Sequence, residues 1–171
     1  VSSIGDYVFN WCVSLTSITI PDSVSSIGNH TFCYCDSLTS ITIPDSVSSI
    51  GDYTFFCTSL TSVTIPNSVS SIKDSAFSHC KSLTSITIPD SVSSIGNGAF
   101  TRCDNLENIY YAGTEEQWNK IHIGDDNSPL TSATIHFKPE GTYGDVNGDG
   151  VIDKLDYSLI KRSCFGTAEI K

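Results

Sequence analysis

The sequence predicts a solenoid, with one parallel β-sheet of about six short strands on one side and short helical turns on the convex side. Three observations predict it. The segment Leu15-Thr-Ser-Ile-Thr-Ile-Pro-Asp-Ser-Val-Ser-Ser-Ile27 returns almost unchanged at Leu38, Leu60 and Leu83, with weaker copies at Leu106 and Leu130. The spacings are 23, 22, 23, 23 and 24 residues, and a fixed period in this range marks stacked coils. Each copy also carries the same apolar ladder: Val1, Ile4, Phe9, Cys12, Leu15, Ile18 and Ile20, then Val24, Ile27, Phe32, Cys35, Leu38, Ile41 and Ile43. One coil cannot bury that ladder alone, so the coils hold one another.

Within a coil, Ser17-Ile18-Thr19-Ile20 alternates polar and apolar residues and reads as a half-buried strand. Its outward residues stack with Ser40/Thr42, Ser62/Thr64 and Ser85/Thr87. Pro21-Asp22-Ser23 is a turn, because proline fixes φ and Asp and Ser bond back to the backbone. Val24 to Ile27 is a short extended run. Asp6, Asn29, Asp52, Asp74 and Asn97 recur just before a Phe-containing turn and suit the N-cap of one helical turn. The third coil is one residue short at Phe55-Phe56-Cys57, and the expectation is that this turn absorbs the loss.

Residues 1–105 hold five repeats and 106–137 the last coil with its cap. In the cap, Thr114 and Gln117 have capping-box spacing. Trp118 and Ile121 fold onto the last coil, and Leu130 to Phe137 is the closing strand. Residues 138–143 form a Pro/Gly linker and 144–171 a tail of different composition. The chain opens inside a repeat without a polar cap, which suggests a fragment of a longer protein.

The composition excludes several classes. A net charge of −10 opposes nucleic acid and anionic membranes as partners. No apolar run approaches the ~20 residues of a membrane span. Five of seven cysteines (Cys12, Cys35, Cys57, Cys80 and Cys103) share one repeat position and read as a buried column of reduced thiols. So many free thiols suggest a reducing or anaerobic habitat.

Two columns vary from coil to coil: Tyr7, His30, Tyr53, Ser75 and Gly98, and Trp11, Tyr34, Phe56, His79 and Arg102. Both fall on the turn side. They read either as cover for the groove between coils or as an exposed aromatic patch for a partner or a sugar, with Tyr7, Trp11, Tyr34 and Tyr53 as its candidate contacts.

On these residues the repeats resemble the BspA-like class of leucine-rich repeats, found on bacterial and some protist cell surfaces. The resemblance implies a right-handed leucine-rich-repeat coil, and a role in adhesion and protein binding.

Asp145-Val-Asn-Gly-Asp-Gly-Val-Ile-Asp-Lys-Leu-Asp156 fits a calcium loop in an EF-hand-like loop–helix tail. Asp145, Asn147, Asp149, the Val151 carbonyl, Asp153 and Asp156 fall at the ligand positions, and Gly150 at the sharp turn. A hard cation needs several oxygens from one tight loop, and this spacing supplies them. Together with Leu159, Ile160, Lys161 and Arg162, the segment resembles the first half of a type I dockerin. That resemblance implies a cohesin partner on a cellulosome scaffold, met by Lys154, Leu155, Lys161 and Arg162. The expectation is one half of such a module, the second being truncated or degenerate.

No catalytic constellation occurs. There is no Gly-x-Ser-x-Gly, and the four histidines have no metal spacing; only His122 and His136 could approach each other. The reading is a non-catalytic, secreted or cell-surface module of an anaerobic bacterium. Its repeats bind a protein or glycan, and its dockerin attaches it to a cohesin. The alternatives are a surface adhesin, and an accessory region of a polysaccharide-degrading enzyme or peptidase encoded upstream. A lattice-matching role for the Ser/Thr face, such as ice binding, is a further one.

Overall fold

The structure, a computed structural model, describes residues 2–138. They form a solenoid with two rows of parallel strands. The first row contains β2 (Ser17–Thr19), β4 (Ser40–Thr42), β5 (Ser62–Thr64), β7 (Ser85–Ile88), β9 (Asn108–Tyr111) and β11 (Thr134–Phe137). The alternation works as read. Val63, Ile86 and Ile109 are buried, while Ser17, Thr19, Ser40, Thr42, Ser62 and Thr64 are exposed.

β2 pairs with β4, and β5, β7, β9 and β11 pair in series, all parallel and in register. β4 and β5 are neighbours without a ladder between them, so the row is bonded as a pair and a quartet. The short third coil is the cause. Thr58, three residues after Phe55, is buried where other coils put Cys12, Cys35, Cys80 and Cys103. The missing residue therefore lies between Thr58 and Leu60, at the entry to β5, and not inside the Phe-containing turn. Elsewhere this entry is closed by a bond from the leucine N–H to the cysteine carbonyl three residues back, as from Leu38 to Cys35 (2.9 Å) and Leu83 to Cys80 (3.0 Å). Leu60 stands only two residues past Thr58. β5 arrives out of step, and a slot of about 280 Å³ opens beside Ile41, Ile43, Asp45, Val63 and Pro66.

The second row was expected only as extended runs. It is a ladder of two-residue strands: β1 (Ser3–Ile4), β3 (Ser26–Ile27), β6 (Ser71–Ile72), β8 (Ser94–Ile95) and β10 (His122–Ile123). Ile50 bridges Ile27 and Ile72, so this row runs unbroken past the short coil. Between the rows lies the core. Phe9, Phe32, Phe55, Phe77 and Phe100 stack at 5.2 to 5.5 Å, one ring per coil. Buried Leu38, Leu60, Leu83 and Leu106 stand beside them.

The cap holds α1 (Glu115–Trp118), with the Thr114/Gln117 capping box formed and Trp118 edge-on against Tyr111 at 5.1 Å. Pro129 lies in the first turn of α2 (Ser128–Ser132), so buried Leu130 is helical and the closing strand is confined to Thr134–Phe137. Among the described residues no helix is long and apolar enough to cross a membrane.

Candidate functional site

The turn side carries the candidate surface, and its backbone is not the helical turn that the sequence suggested. A helix would use its N–H groups within the segment. Here alternate N–H groups reach across to the next coil: Tyr7 to Asn29 O (3.0 Å), Phe9 to Thr31 O (2.9 Å) and Trp11 to Cys33 O (2.8 Å), with the same pattern from His30, Phe32 and Tyr34. Two residues per coil take positive φ: Tyr7 and Trp11, His30 and Tyr34, Tyr53 and Cys57, Ser75 and His79, Gly98 and Arg102. The Asx row is likewise not a set of N-caps. Asp6 Oδ1 accepts the Asn29 N–H (2.7 Å), Asn29 Oδ1 the Asp52 N–H (2.8 Å), and Asp74 Oδ1 the Asn97 N–H (2.8 Å). Each side chain ties its coil to the next.

The left-handed positions become the two aromatic columns. Tyr7, His30 and Tyr53 stack at 4.6 and 4.7 Å, within 7° of parallel. Trp11 stacks on Tyr34 at 4.2 Å. Cys57, not Phe56, holds the third place of the second column. The Phe56 ring leans into the gap, edge-on to Tyr34 (5.3 Å) and tilted against Tyr53 and His79. Tyr7, Trp11 and Tyr53 are 56%, 61% and 37% exposed. Tyr7, Trp11, Tyr34 and Tyr53 thus share one ridge across the first three coils. Stacking covers both faces of His30 and one face each of Tyr7, Trp11 and Tyr53.

The cysteine column is Cys12, Cys35, Cys80 and Cys103, with Thr58 in the third place; the placing of Cys57 in it is corrected. Burial pushes the Cys35 thiol up to about 11, and the neighbouring Cys12 adds to this. Cys33 lies outside the column and is also pushed up to about 11 by burial, with Cys57 adding to it. Cys103 is held far above the ordinary thiol range, first by the Cys80 thiol that shares its hydrogen bond and then by burial. His122 and His136 are not brought together: they lie on β10 in the second row and β11 in the first. His136 instead stacks on Tyr110 (4.8 Å) and shares a 2.8 Å hydrogen bond with Asn108. Among the described residues no three His, Cys, Asp or Glu side chains could hold a metal.

The calcium positions Asp145, Asn147, Asp149, Val151, Asp153 and Asp156, and the cohesin positions Lys154, Leu155, Lys161 and Arg162, lie outside the described residues. Sequence reasoning missed Asn127. Its Oδ1 accepts the Phe100 N–H (3.0 Å), and its Nδ2 donates to Gly96 O (2.8 Å) and Gly124 O (2.9 Å), closing the array at the cap.

Comparison with known proteins gives the following. Residues 2–122 match the BspA type leucine rich repeat region, in six copies. Residues 142–168 match the dockerin type I domain. The fold is similar to a leucine rich cell surface protein from Faecalibacterium prausnitzii A2-165, with TM-score 0.69 and 38% identity over 71% of this chain and 32% of that one. It is similar to a leucine rich repeat protein of T. pallidum (TM-score 0.63, 25% identity, 97% of this chain and 78% of that one). A leucine-rich repeat protein from Eubacterium ventriosum is also similar (TM-score 0.60, 34% identity, 65% and 29%). The chain spans about a third of the Faecalibacterium and Eubacterium structures. No curated protein matches it.

Proposed function

Because the chain belongs to the BspA-type leucine-rich repeat family, we propose that its repeats are a protein-binding module, attached through its dockerin-type segment to a cohesin on an extracellular scaffold. A repeat region and a dockerin in one chain support a cellulosome-type protein-binding role and a secreted or cell-surface place for it. No enzyme domain is evident in this chain.

The observation that carries the reading is the turn-side ridge of Tyr7, Trp11, Tyr34 and Tyr53. Exposed aromatic side chains anchor protein interfaces. Stacking fixes these rings before a partner arrives, which lowers the entropy lost on binding. A sugar would need open ring faces, and stacking takes one face each of Tyr7, Trp11 and Tyr53. In the tail, Asp145, Asn147, Asp149, Asp153, Asp156 and the Val151 carbonyl are an all-oxygen donor set that fits calcium. Lys154, Leu155, Lys161 and Arg162 are the residues assigned to cohesin contact.

Two measurements test the two halves. Immobilised type I cohesin should retain the full chain with calcium and release it with chelator; no calcium-dependent capture would end the scaffold assignment. In binding to a panel of immobilised surface proteins and of soluble hexasaccharides, the Trp11→Ser/Tyr34→Ser variant should lose roughly tenfold or more of any protein affinity. Sugar binding that vanishes with this variant would reverse the choice of ligand class.

A further inference from the structure

We propose that the junction between the second and third coils is a built-in weak joint: the first two coils come away from the rest and unfold as one cooperative unit, with the strand side of the junction parting first. The observations come from both sides of the junction. On the strand side β4 and β5 have no ladder, and the slot between them is lined by Ile41, Ile43, Val63 and Pro66. It is bounded at one end by the Thr61 N–H on Thr39 O, at 3.4 Å, and at the other by the Ser68 hydroxyl on Val47 O. The equivalent bonds are 3.3 Å one coil earlier, from the Thr39 N–H to Thr16 O, and 2.9 Å one coil later, from the Thr84 N–H to Thr61 O, so the missing ladder and not this bond marks the junction.

The other side stays bonded, although in the second row single bridges stand in place of the two-residue ladders found elsewhere. Ile50 bridges Ile27 and Ile72. His30, Phe32 and Tyr34 donate their N–H groups to Asp52 O, Thr54 O and Phe56 O at 2.8, 2.8 and 2.9 Å. Phe32 and Phe55 stack at 5.5 Å. A junction bonded along one edge and open along the other parts from its open edge. In a solenoid, stability is a sum of coil terms and nearest-neighbour interfaces, so the weakest interface sets where the array divides into cooperative blocks. The sequence cause is a single missing residue between Thr58 and Leu60. The aromatic ridge crosses the same junction, through His30–Tyr53 and Tyr34–Phe56.

Native-state hydrogen exchange on the full chain tests this. Amides up to Leu38 should exchange together in one sub-global step, faster than those of Phe77, Ile95 and Ile109. Inserting one serine between Thr58 and Ser59 restores a 23-residue coil. It should slow that step on the order of a hundredfold, the size expected for two or three regained ladder hydrogen bonds. Deleting Ser82 makes the fourth coil equally short and should add a step between the third and fourth coils, which decides the matter if the insertion does not fold. A smooth gradient of exchange from the first coil inward, or a step untouched by both changes, would overturn the joint.

Discussion

The Sγ of Cys80 lies 3.1 Å from the carbonyl oxygen of Phe55, one coil back. Cys35 stands in the same relation to Phe9 (3.2 Å) and Cys103 to Phe77 (3.1 Å). The column therefore holds cysteine as a small apolar residue that is also a donor, and each thiol proton links two coils. Thr58 does not make that link: its hydroxyl bonds Phe55 O in its own coil, at 3.1 Å.

From this follows a prediction about thiol chemistry. Cys35, Cys80 and Cys103 should resist thiol reagents in the folded chain and react once it is denatured, while half-buried Cys57 reacts sooner. Stability should also fall in alkali. Cys33 and Cys35 rise from 9.0 to about 11 on folding. Above pH 9 the unfolded chain releases these protons while the folded chain holds them, so the contribution is whole below pH 9 and is lost as pH rises through 11. Thermal midpoints at pH 8 and pH 10.5 check the sign; equal midpoints would remove these thiols from the account.

Ile86 is the middle of the strand quartet, 1% exposed and paired with Val63 and Ile109. Ile86→Asp should cost about 3 kcal/mol or more, because a carboxylate there has no partner and must be buried or protonated. Thr19→Asp, outward on β2, should stay within about 0.5 kcal/mol. Urea midpoints of the two variants separate the faces of the row.

How far the sequence could be read varies along the coil, for identifiable reasons. The first strand row was legible because Ser-Ile-Thr alternates over enough residues to fix which face is buried. The second was not, since Ser26–Ile27 is too short for a period to show and is held only by its neighbours. The turn looked helical because Asp, Asn and Phe fit an N-cap and a first turn, whereas the backbone spends its N–H groups between coils. One signal was present: Gly98 shares a column with Tyr7, His30, Tyr53 and Ser75, and glycine is the residue that takes positive φ without strain. Aligning the short coil on Cys57 instead of on the Phe55-to-Thr58 spacing hid where the residue is missing, and with it the break between β4 and β5. The aromatic ridge was legible as two variable columns. That its rings stack face to face depended on coil spacing, which no single coil states.

The Asx row makes a prediction about glycine. A Cβ on Gly28 would stand 2.4 Å from Asp6 Oδ1 and 2.6 Å from the Asp6 nitrogen, whereas one on Gly5 would meet nothing nearer than Val8 at 3.9 Å. Gly28→Ala should cost about 1–3 kcal/mol, and Gly5→Ala close to nothing. The chain contains its own control. Lys73 occupies this column in the fourth coil, and the bond beside it, from the Asp74 N–H to Asp52 Oδ1, is stretched to 3.1 Å. Lys73→Gly should therefore be tolerated. Paired melting curves for the two alanine variants measure the difference, and equal losses would remove the Asx packing as its cause.

Asn127 gives the sharpest test of how the array ends. Inside the array the N–H of each core phenylalanine bonds the coil that follows: Phe55 to Ala76 O and Phe77 to Ala99 O, both 2.8 Å. At Phe100 the amide side chain of Asn127 takes the place of that carbonyl, and its other end gathers the Gly96 and Gly124 carbonyls. Asn127 is 6% exposed, so water cannot replace it freely. Asn127→Ala leaves a buried donor and two acceptors short of a partner and should cost about 2–4 kcal/mol. Asn127→Asp is the more telling change. It keeps an acceptor for the Phe100 N–H but turns the Nδ2 donor into an oxygen facing two carbonyls. At neutral pH the charge is buried without a counter-ion, so the loss should match or exceed that of alanine. In acid, a protonated carboxyl can donate to one of the carbonyls, and part of the stability should return. Melting midpoints of the wild type and both variants at pH 4 and pH 7 read this out. An Asp variant that tracks the wild type at both values would mean that Asn127 only fills space at the cap.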